Sequence, residues 1–342
     1  MELKLSIVII NYNTFAMTCD CLRDIYASNW EFGFEVILVD NASVERDPED
    51  FKRAFPQLVL IKSPDNGGFA RGNNLGIAVA QGEYLLILNS DTLGLDAGIR
   101  HCLSYMDLRK HETDLGGVGC RILSPDGSMQ RSAFDYRIGL PAALLDNSVI
   151  SFVATKLGLT KYRQDSYVRA MHEKEHAVQA LLGAFMLLRR DVVEKVKPFD
   201  PDFFMYAEET EWCYRINDNG YRLMYIPDTS IVHIGGGSTT RDSGYINKQY
   251  YLSLMLITFK QSGYWGMLAF NLLFALNYVT NSLLMPFRSP DIRIGHQNLL
   301  RGTRLSLRYQ GVMLKYFKPA FASSSFPFKL STAEELKEKG EK

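Results

Sequence analysis

An excess of either charge is missing. Lys plus Arg number 38 and Asp plus Glu number 38, so the formal net charge is zero. Such a chain has no broad electrostatic footprint for a polyanion, and nucleic acid is not an expected partner. Cysteine is scarce, with five residues in 342 (Cys19, Cys21, Cys102, Cys120 and Cys213). No two stand in a CxxC spacing, so neither a zinc module nor a disulfide framework is indicated, and reduced thiols in the cytosol are the simplest reading. The opening Met1-Glu-Leu-Lys-Leu5 lacks the basic-then-apolar pattern of a secretion signal, which again points to the cytoplasm. The chain also lacks the GxGxxG spacing of a dinucleotide fold and the lysine of a P-loop, which removes the usual support for NAD binding and ATP hydrolysis. With 46% hydrophobic and 22% charged residues, the composition disfavours a disordered or fibrous chain and supports a real core.

Two periodicities alternate through the first half. Nearly continuous apolar runs at Leu5–Ile10, Phe34–Val39, Leu58–Ile61 and Tyr84–Leu88 read as strands buried on both faces. Helix-like stretches, Thr14–Ala27, Pro48–Ala54 and Gly72–Ala80, lie between them. Strand, helix and strand at this spacing predict βαβ units and an α/β fold with a mainly parallel sheet.

Each predicted strand runs into polar residues: Asn11-Tyr-Asn13, Asp40-Asn-Ala-Ser43, Asn66-Gly-Gly-Phe-Ala-Arg-Gly-Asn-Asn74 and Asn89-Ser-Asp91. Ligands of open α/β sheets bind beyond the carboxyl ends of the strands. One Asp or Asn at such a place is more simply a helix cap. Four in succession, with a glycine-rich segment among them, point to a site. Gly67 and Gly68 permit close backbone approach to a ligand, and Arg71 offers a planar fork to phosphate or base oxygens. Asp91 is either a cap or a hard oxygen ligand for magnesium or manganese.

The stretch from Ser124 to about Gln179 is less regular and reads as an insertion beside the sheet. Either it lines a second substrate or it is a surface excursion. Ala180–Arg189 is a predicted buried strand and Asp191–Val196 a short helix. Glu208-Glu-Thr-Glu-Trp-Cys-Tyr-Arg215 opens another helix, with Gly220 as its stop. Glu208, Glu211 and Arg215 share one face of that helix, and Glu211–Arg215 is a ready i,i+4 ion pair. Glu209 points elsewhere, towards Trp212 and Cys213. It is the less neutralised carboxylate and the better candidate for a general base, although three acids at a helix start also simply suit its positive end. Tyr221–Ile226 and Thr229–Ile234 read as short strands. His233 then precedes a glycine-rich loop, as a structural residue or a ligand.

No charge occurs between Lys260 and Arg288. Tyr264–Met285 is long enough for a bilayer but carries Asn271, Asn277 and Asn281, which leaves three readings: a core helix, an interfacial helix or a span. The basic residues that follow, Arg288, Arg293, Arg301, Arg304, Arg308, Lys315 and Lys318, suit either an anionic membrane surface or a solvated helix face.

Taken in order, the polar strand ends, Gly183-Ala-Phe-Met186, Phe199-Asp-Pro-Asp-Phe-Phe-Met-Tyr-Ala-Glu-Glu-Thr-Glu-Trp-Cys-Tyr-Arg215 and Val232-His-Ile-Gly235 resemble glycosyltransferase family 2 with its GT-A fold. The look is that of bacterial rhamnosyltransferase-like members acting on cell-surface polysaccharide. The resemblance covers about Lys4 to Thr240 and implies a GT-A domain over 1–240, with 241–342 as a helical, membrane-associating region. It further implies inverting transfer of a single sugar from a nucleotide-diphosphate donor, with dTDP-rhamnose first and a UDP-hexose next. The acceptor would be a glycan or lipid-linked molecule at the inner membrane face, and an oligomer of like chains is left open. By the family pattern Asn11, Tyr12, Asn13, Asp40, Asn41, Asn66, Gly67, Arg71, Asn74, Asn89 and Trp212 belong to the substrate site. Asp91, the last carboxylate of the DxD motif, and His233 would hold Mg2+ or Mn2+. Glu208 and Glu209 stand at the family's Glu-Asp pair, with the base at Glu209.

Asn89 replaces the first Asp of DxD, and Glu209 replaces the more usual Asp. The QxxRW motif of processive synthases is absent, which favours single addition. Two other classes compete. A sugar-phosphate nucleotidyltransferase wants an Arg- and Lys-bearing glycine loop after the first strand, which Asn11-Tyr-Asn-Thr-Phe15 does not supply. A glycan- or nucleotide-binding module would have no need of Glu209 and Asp91.

Overall fold

β-Branched and leucine-rich runs with few polar interruptions make strands covered on both faces. The computed structural model describes residues 3–139, 157, 165–235 and 243–284. In it these runs form β1 (Leu3–Asn11), β2 (Gly33–Asp40), β3 (Val59–Lys62) and β4 (Tyr84–Asn89). Helices α1 (Phe15–Ala27), α2 (Glu49–Ala54) and α3 (Gly68–Ile77) connect them. β1 pairs in parallel with β2 and β4, and β2 with β3.

The chain divides into two compact units. One comprises Met1–Tyr136, Asp165–Asp200 and Glu208–Thr240; the other comprises Arg137–Gln164, Pro201–Ala207 and Arg241–Lys342. The first unit continues with β5 (Thr92–Leu93), α4 (Leu95–Leu108), β6 (Leu115–Leu123), β7 (Met129–Gln130) and β8 (Ala133–Phe134). After them come α5 (Asp165–Met171), β9 (His176–Val178), β10 (Ala180–Leu181), β11 (Phe185–Arg189), α6 (Arg190–Val196), α7 (Glu208–Asp218) and β12 (Arg222–His233). The main sheet runs β3-β2-β1-β4-β11-β6-β12-β5, with β7 on β6 and β9 on β12, while β8 and β10 form a small sheet of their own. β11 is antiparallel to both β4 and β6. Its core contains Ile7, Ile9, Leu38, Leu86, Leu88, Phe185 and Leu187, all buried.

Three elements differ from the expectation. Helix α3 begins at Gly68 instead of Gly72, and two of its glycines serve packing. A β-carbon at Gly76 would lie 2.5 Å from Val8 Cγ1, and one at Gly72 would lie 3.0 Å from Ile10 Cδ1. The helix therefore sits closer to β1 than any side chain would allow. The single strand expected over Ala180–Arg189 is broken at Leu182-Gly183-Ala184. The two strands expected around Ile226 and Thr229 are one strand, β12, whose register with β6 shifts between Ile226 and Ser230. Pro227, with no N–H to give the ladder, sits in that irregularity. Gly220 ends α7 with φ +85°, as its position predicts.

In the second unit, α8 (Ser243–Leu284) is broken at Gly263 (φ 64°, ψ −167°). Lys260 Nζ donates to Asp202 Oδ2 at 2.9 Å, and Ser253 Oγ to the Met205 carbonyl at 2.7 Å. Past the break, Met267, Phe270 and Phe274 are buried together with Asn271 and Asn277. Among the described residues no helix is long and apolar enough to cross a membrane. That removes the spanning reading of Tyr264–Leu284, while Met285 and the basic residues after it lie outside the described residues. Most of the irregular stretch from 140 to 164 is likewise outside them.

Candidate functional site

Parallel strands deliver their carboxyl ends to one edge, and the register makes those ends neighbours. Asn11 stands opposite Asp40, and Ile10 opposite Asn89. Asn11 Nδ2 donates to Asp40 Oδ1 at 2.8 Å and to Ser43 Oγ at 2.9 Å. Its Oδ1 accepts the hydroxyls of Thr14 at 3.0 Å and Thr18 at 2.9 Å, both from the start of α1. Asp40 Oδ2 accepts the Ser43 N–H at 3.0 Å. Asn13, at φ 53°, accepts the Val44 N–H at 2.8 Å and donates its own N–H to Ser43 Oγ at 3.0 Å. The loops after β1 and β2 are thereby bound to each other. A left-handed asparagine is tolerated where its side chain bonds locally.

Asn41 extends this network to the glycine segment. Its Nδ2 donates to Asn66 Oδ1 at 2.8 Å and to the Gly68 carbonyl at 3.1 Å, and its Oδ1 accepts the Gly67 N–H at 3.2 Å. Asn11, Asp40 and Asn41 are buried. Buried polar groups satisfied in this way form a rigid rim instead of a flexible loop. Tyr12 and Arg71 are half-buried beside it. A side chain at Gly67 would start 2.9 Å from Arg71 Cβ, so the glycine makes room for the arginine.

Asn74 and Trp212, also expected at the substrate, each donate to a backbone carbonyl. Asn74 Nδ2 donates to the Phe199 carbonyl at 2.8 Å. Trp212 is fully buried; its indole N–H donates to the Lys197 carbonyl at 2.8 Å, and its ring packs on Phe199 with centroids 4.1 Å apart. It offers no free face to a ligand, which corrects its placement in the substrate site. The family pattern put it at the substrate, whereas α7 uses it as an anchor. Arg215 fastens the same helix, donating to the carbonyls of Val196 at 2.7 Å and Pro198 at 2.9 Å, and to Glu211 Oε2 at 2.8 Å.

The second cluster forms where β5 meets the end of β12, with Thr92 opposite His233. Asp91 is buried. Its carbonyl accepts the Ile234 N–H at 2.9 Å, and its Oδ2 accepts the Gly235 N–H at 3.0 Å. Its Oδ1 lies 3.3 Å from His233 Nε2. Burial alone would raise this carboxyl, but His233, whose ring can donate and carry charge at Nε2 only when protonated on both nitrogens, outweighs it together with the amide of Gly235 and holds the group below its usual value. Asn89 Nδ2 lies 3.1 Å from the same His233 Nε2, so the asparagine that replaces an acid contacts the histidine.

The third component is the start of α7. Glu208 is buried and Glu209 half-buried. Burial raises the Glu209 carboxyl from 4.5 to about 7 against the pull of the backbone amides of Glu209 and Thr210. The stem of Glu209 lies beside Gly183. A β-carbon on Gly183 would lie 3.4 Å from Glu209 Cβ and 3.5 Å from Phe69 Cε1, and the next residue, Ala184, accepts the Asn89 N–H at 3.1 Å. Phe69 of the glycine segment and Glu209 of the acidic helix thus flank Gly183, and the DxD-like tripeptide bonds the residue after it. The chain belongs to glycosyl transferase family 2. The pattern of that family matches residues 6–197, and that of glycosyl transferase family group 2 matches residues 151–316.

The fold of this glycosyltransferase is GT-A. It is shared with the mannosyltransferase PcManGT from Pyrobaculum calidifontis, whose structure holds GDP-Man and Mn2+: TM-score 0.55, 15% identity, 90% of this chain and 87% of that one. Among curated proteins it is 26% identical over 246 residues to the N-acetylglucosaminyl-diphospho-decaprenol L-rhamnosyltransferase of Mycobacterium tuberculosis, covering 67% of this chain and 76% of that protein. It is also 26% identical over 175 residues to the rhamnosyltransferase WbbL of Escherichia coli, covering 48% of this chain and 60% of that protein.

The donor chemistry of the second cluster suits a small divalent cation. Among the described residues no three His, Cys, Asp or Glu side chains gather as a full metal cage. Asp91 and His233 alone place a carboxylate oxygen and an imidazole nitrogen 3.3 Å apart. Two adjacent donors on a cation with bonds of about 2.1 Å stand at about that separation. Mg2+ in particular takes one or two protein ligands and completes its shell with phosphate oxygens and water.

Proposed function

We propose that this glycosyltransferase transfers a single sugar, with inversion, from a nucleotide-diphosphate sugar to a lipid-linked glycan acceptor in cell-surface polysaccharide synthesis, and that dTDP-rhamnose is the donor. The observation that supports the reading is that Glu209 lies beside Gly183 while the carbonyl of the next residue, Ala184, accepts the Asn89 N–H. A group that accepts a proton and a group that stabilises a leaving diphosphate have to lie on one site. The rhamnosyl donor and the lipid-linked acceptor are supported by the names of the Mycobacterium and Escherichia relatives.

The rim built by Asn11, Asp40, Asn41 and Asn66 receives the nucleotide base, with Tyr12, Asn13 and Gly67 around it, and Arg71 offers its guanidinium to the phosphates. Asp91 and His233 would hold Mg2+ or Mn2+, which when bound offsets the negative charge on the departing diphosphate. Glu209 removes the proton from the acceptor hydroxyl as that oxygen attacks the anomeric carbon and the bond to the diphosphate breaks. One displacement inverts the anomeric centre. With a carboxyl raised to about 7, Glu209 is ionised enough to act near neutrality and basic enough to take the proton.

The test is a panel of nucleotide sugars, including dTDP-L-rhamnose and UDP-glucose, given to the full chain with and without manganese. Release of nucleoside diphosphate is the readout. dTDP-rhamnose is expected to be consumed fastest, and only with the metal. Consumption of no donor removes the transferase proposal. Equal rates in chelator remove its metal, and a retained anomeric configuration in the product removes its mechanism.

Residues 1–240 carry this chemistry in the proposal, and 241–342 associate with the membrane surface. Beyond Gly263, α8 exposes Trp265, Leu272, Leu276, Val279 and Leu283, which recur at helical spacing. The chain should float with vesicles containing anionic lipid and much less with neutral ones. Equal absence from both fractions removes the membrane part of the reading.

A further inference from the structure

His233 is a useful donor only if its ring presents the correct nitrogen, and a residue remote in sequence controls that choice. Gln130 lies on β7, opposite Ile122 of β6, two strands from the end of β12. Its Nε2 lies 2.7 Å from the His233 carbonyl oxygen. A carbonyl oxygen only accepts, so this contact fixes the direction of the amide. Nε2 faces the carbonyl, and Oε1 is the atom 2.8 Å from His233 Nδ1. Oε1 also only accepts, so Nδ1 carries the proton. In a neutral imidazole the lone pair then belongs to Nε2. That nitrogen is the one facing Asp91 Oδ1 at 3.3 Å and Asn89 Nδ2 at 3.1 Å.

We propose that Gln130 is a positioning residue. Its amide grips both the backbone and the ring of His233, and so holds the Nδ1–H tautomer that presents Nε2 beside the Asp91 carboxylate as the second donor to a divalent cation. The part concerning the cation rests on the metal reading above; the tautomer does not. Partners of this kind on the far nitrogen of a ligating histidine set ring orientation and basicity.

The experiment uses the full chain labelled with nitrogen-15 histidine, and His233→Ala to assign the ring among six histidines. Long-range nitrogen–proton correlations of the metal-free chain report the tautomer. Mn2+ alone, titrated by the electron paramagnetic resonance signal of the free ion, reports affinity. The wild-type ring is expected to be the Nδ1–H form. Gln130→Met, of similar length but without hydrogen bonds, should lose that preference and bind Mn2+ about 10–100-fold more weakly. Gln130→Glu keeps the acceptor for Nδ1–H but loses the donor to the His233 carbonyl, so it should restore the tautomer and only part of the affinity. In a His233→Ala background Gln130→Met should cost nothing further, because its effect passes through the ring.

The same tautomer in wild type and Gln130→Met overturns the proposal, and so does an equal loss of Mn2+ affinity with and without His233. If the wild-type chain binds no Mn2+, the metal reading falls by itself. The tautomer comparison then decides for or against Gln130.

Discussion

Glu209→Gln should abolish transfer, with kcat lower by about 10^2- to 10^4-fold, the range general base catalysis supplies. Binding of the nucleotide-sugar should survive, because the residues assigned to the nucleotide lie on β1, β2 and the start of α3, and Glu209 lies on α7. The wild-type rate should rise with pH through about 7, the value to which burial lifts this carboxyl, and that limb should be missing in the variant. Stability gives an independent readout. A carboxyl whose folded value is raised binds its proton more tightly in the folded chain. It therefore favours folding below about 4.5, and that advantage disappears as pH rises to about 7. Glu209→Gln removes the buried charge, so its Tm should exceed that of wild type at pH 8, with the gap closing towards pH 5. Near-normal turnover in Glu209→Gln would end the base assignment. A full loss in Glu208→Gln with Glu209→Gln still active would move the role to the neighbouring acid.

Local patterns carried the reading of the sheet edge. Asn11, Asp40 and Asn89 each end an apolar run, and parallel pairing alone brings such ends together. The Glu211–Arg215 pair was legible for the same reason, since i,i+4 spacing suffices to predict it. The parts that were not legible depend on contacts distant in sequence. β11 enters the sheet antiparallel between β4 and β6, and no periodicity within Phe185–Arg189 announces its direction. At the break, Gly183 neighbours Glu209 and Phe69, which come from elsewhere in the chain. The close packing of α3 was not legible because composition does not reveal that β1 lies against Gly72 and Gly76.

Gln130 is the plainest omission. It follows a Ser-Pro-Asp-Gly turn in a two-residue strand, with nothing local to mark it, and its partner is 103 residues away. Thr14 and Thr18, by contrast, could have been found. Both stand on the side of α1 that returns to Asn11, at spacings of three and seven.

Asp91→Asn is the second decisive variant, and it should lower transfer about 10^3-fold, as expected when a charged group that stabilises the transition state is removed. The substitution keeps the shape of the side chain. An amide oxygen can still accept the Gly235 N–H that Oδ2 accepts at 3.0 Å, and the Ile234 N–H bonds the backbone carbonyl, not the side chain. The fold should therefore persist at neutral pH. The loss is the charge that His233 and Gly235 keep ionised despite burial. Because the folded carboxyl is depressed, its contribution to stability is present above its ordinary value of 3.8 and disappears as pH falls below it. Wild type should hold an advantage in Tm over Asp91→Asn at pH 7 that shrinks towards pH 3. Mn2+ affinity should fall with activity in Asp91→Asn, and Asp91→Ala should be inactive at any metal concentration that supports wild type. Full turnover of Asp91→Ala in chelator would exclude Asp91 from the reaction. Loss of Mn2+ binding with turnover intact would instead separate the cation from the chemistry and leave Glu209 as the only catalytic residue supported at this edge.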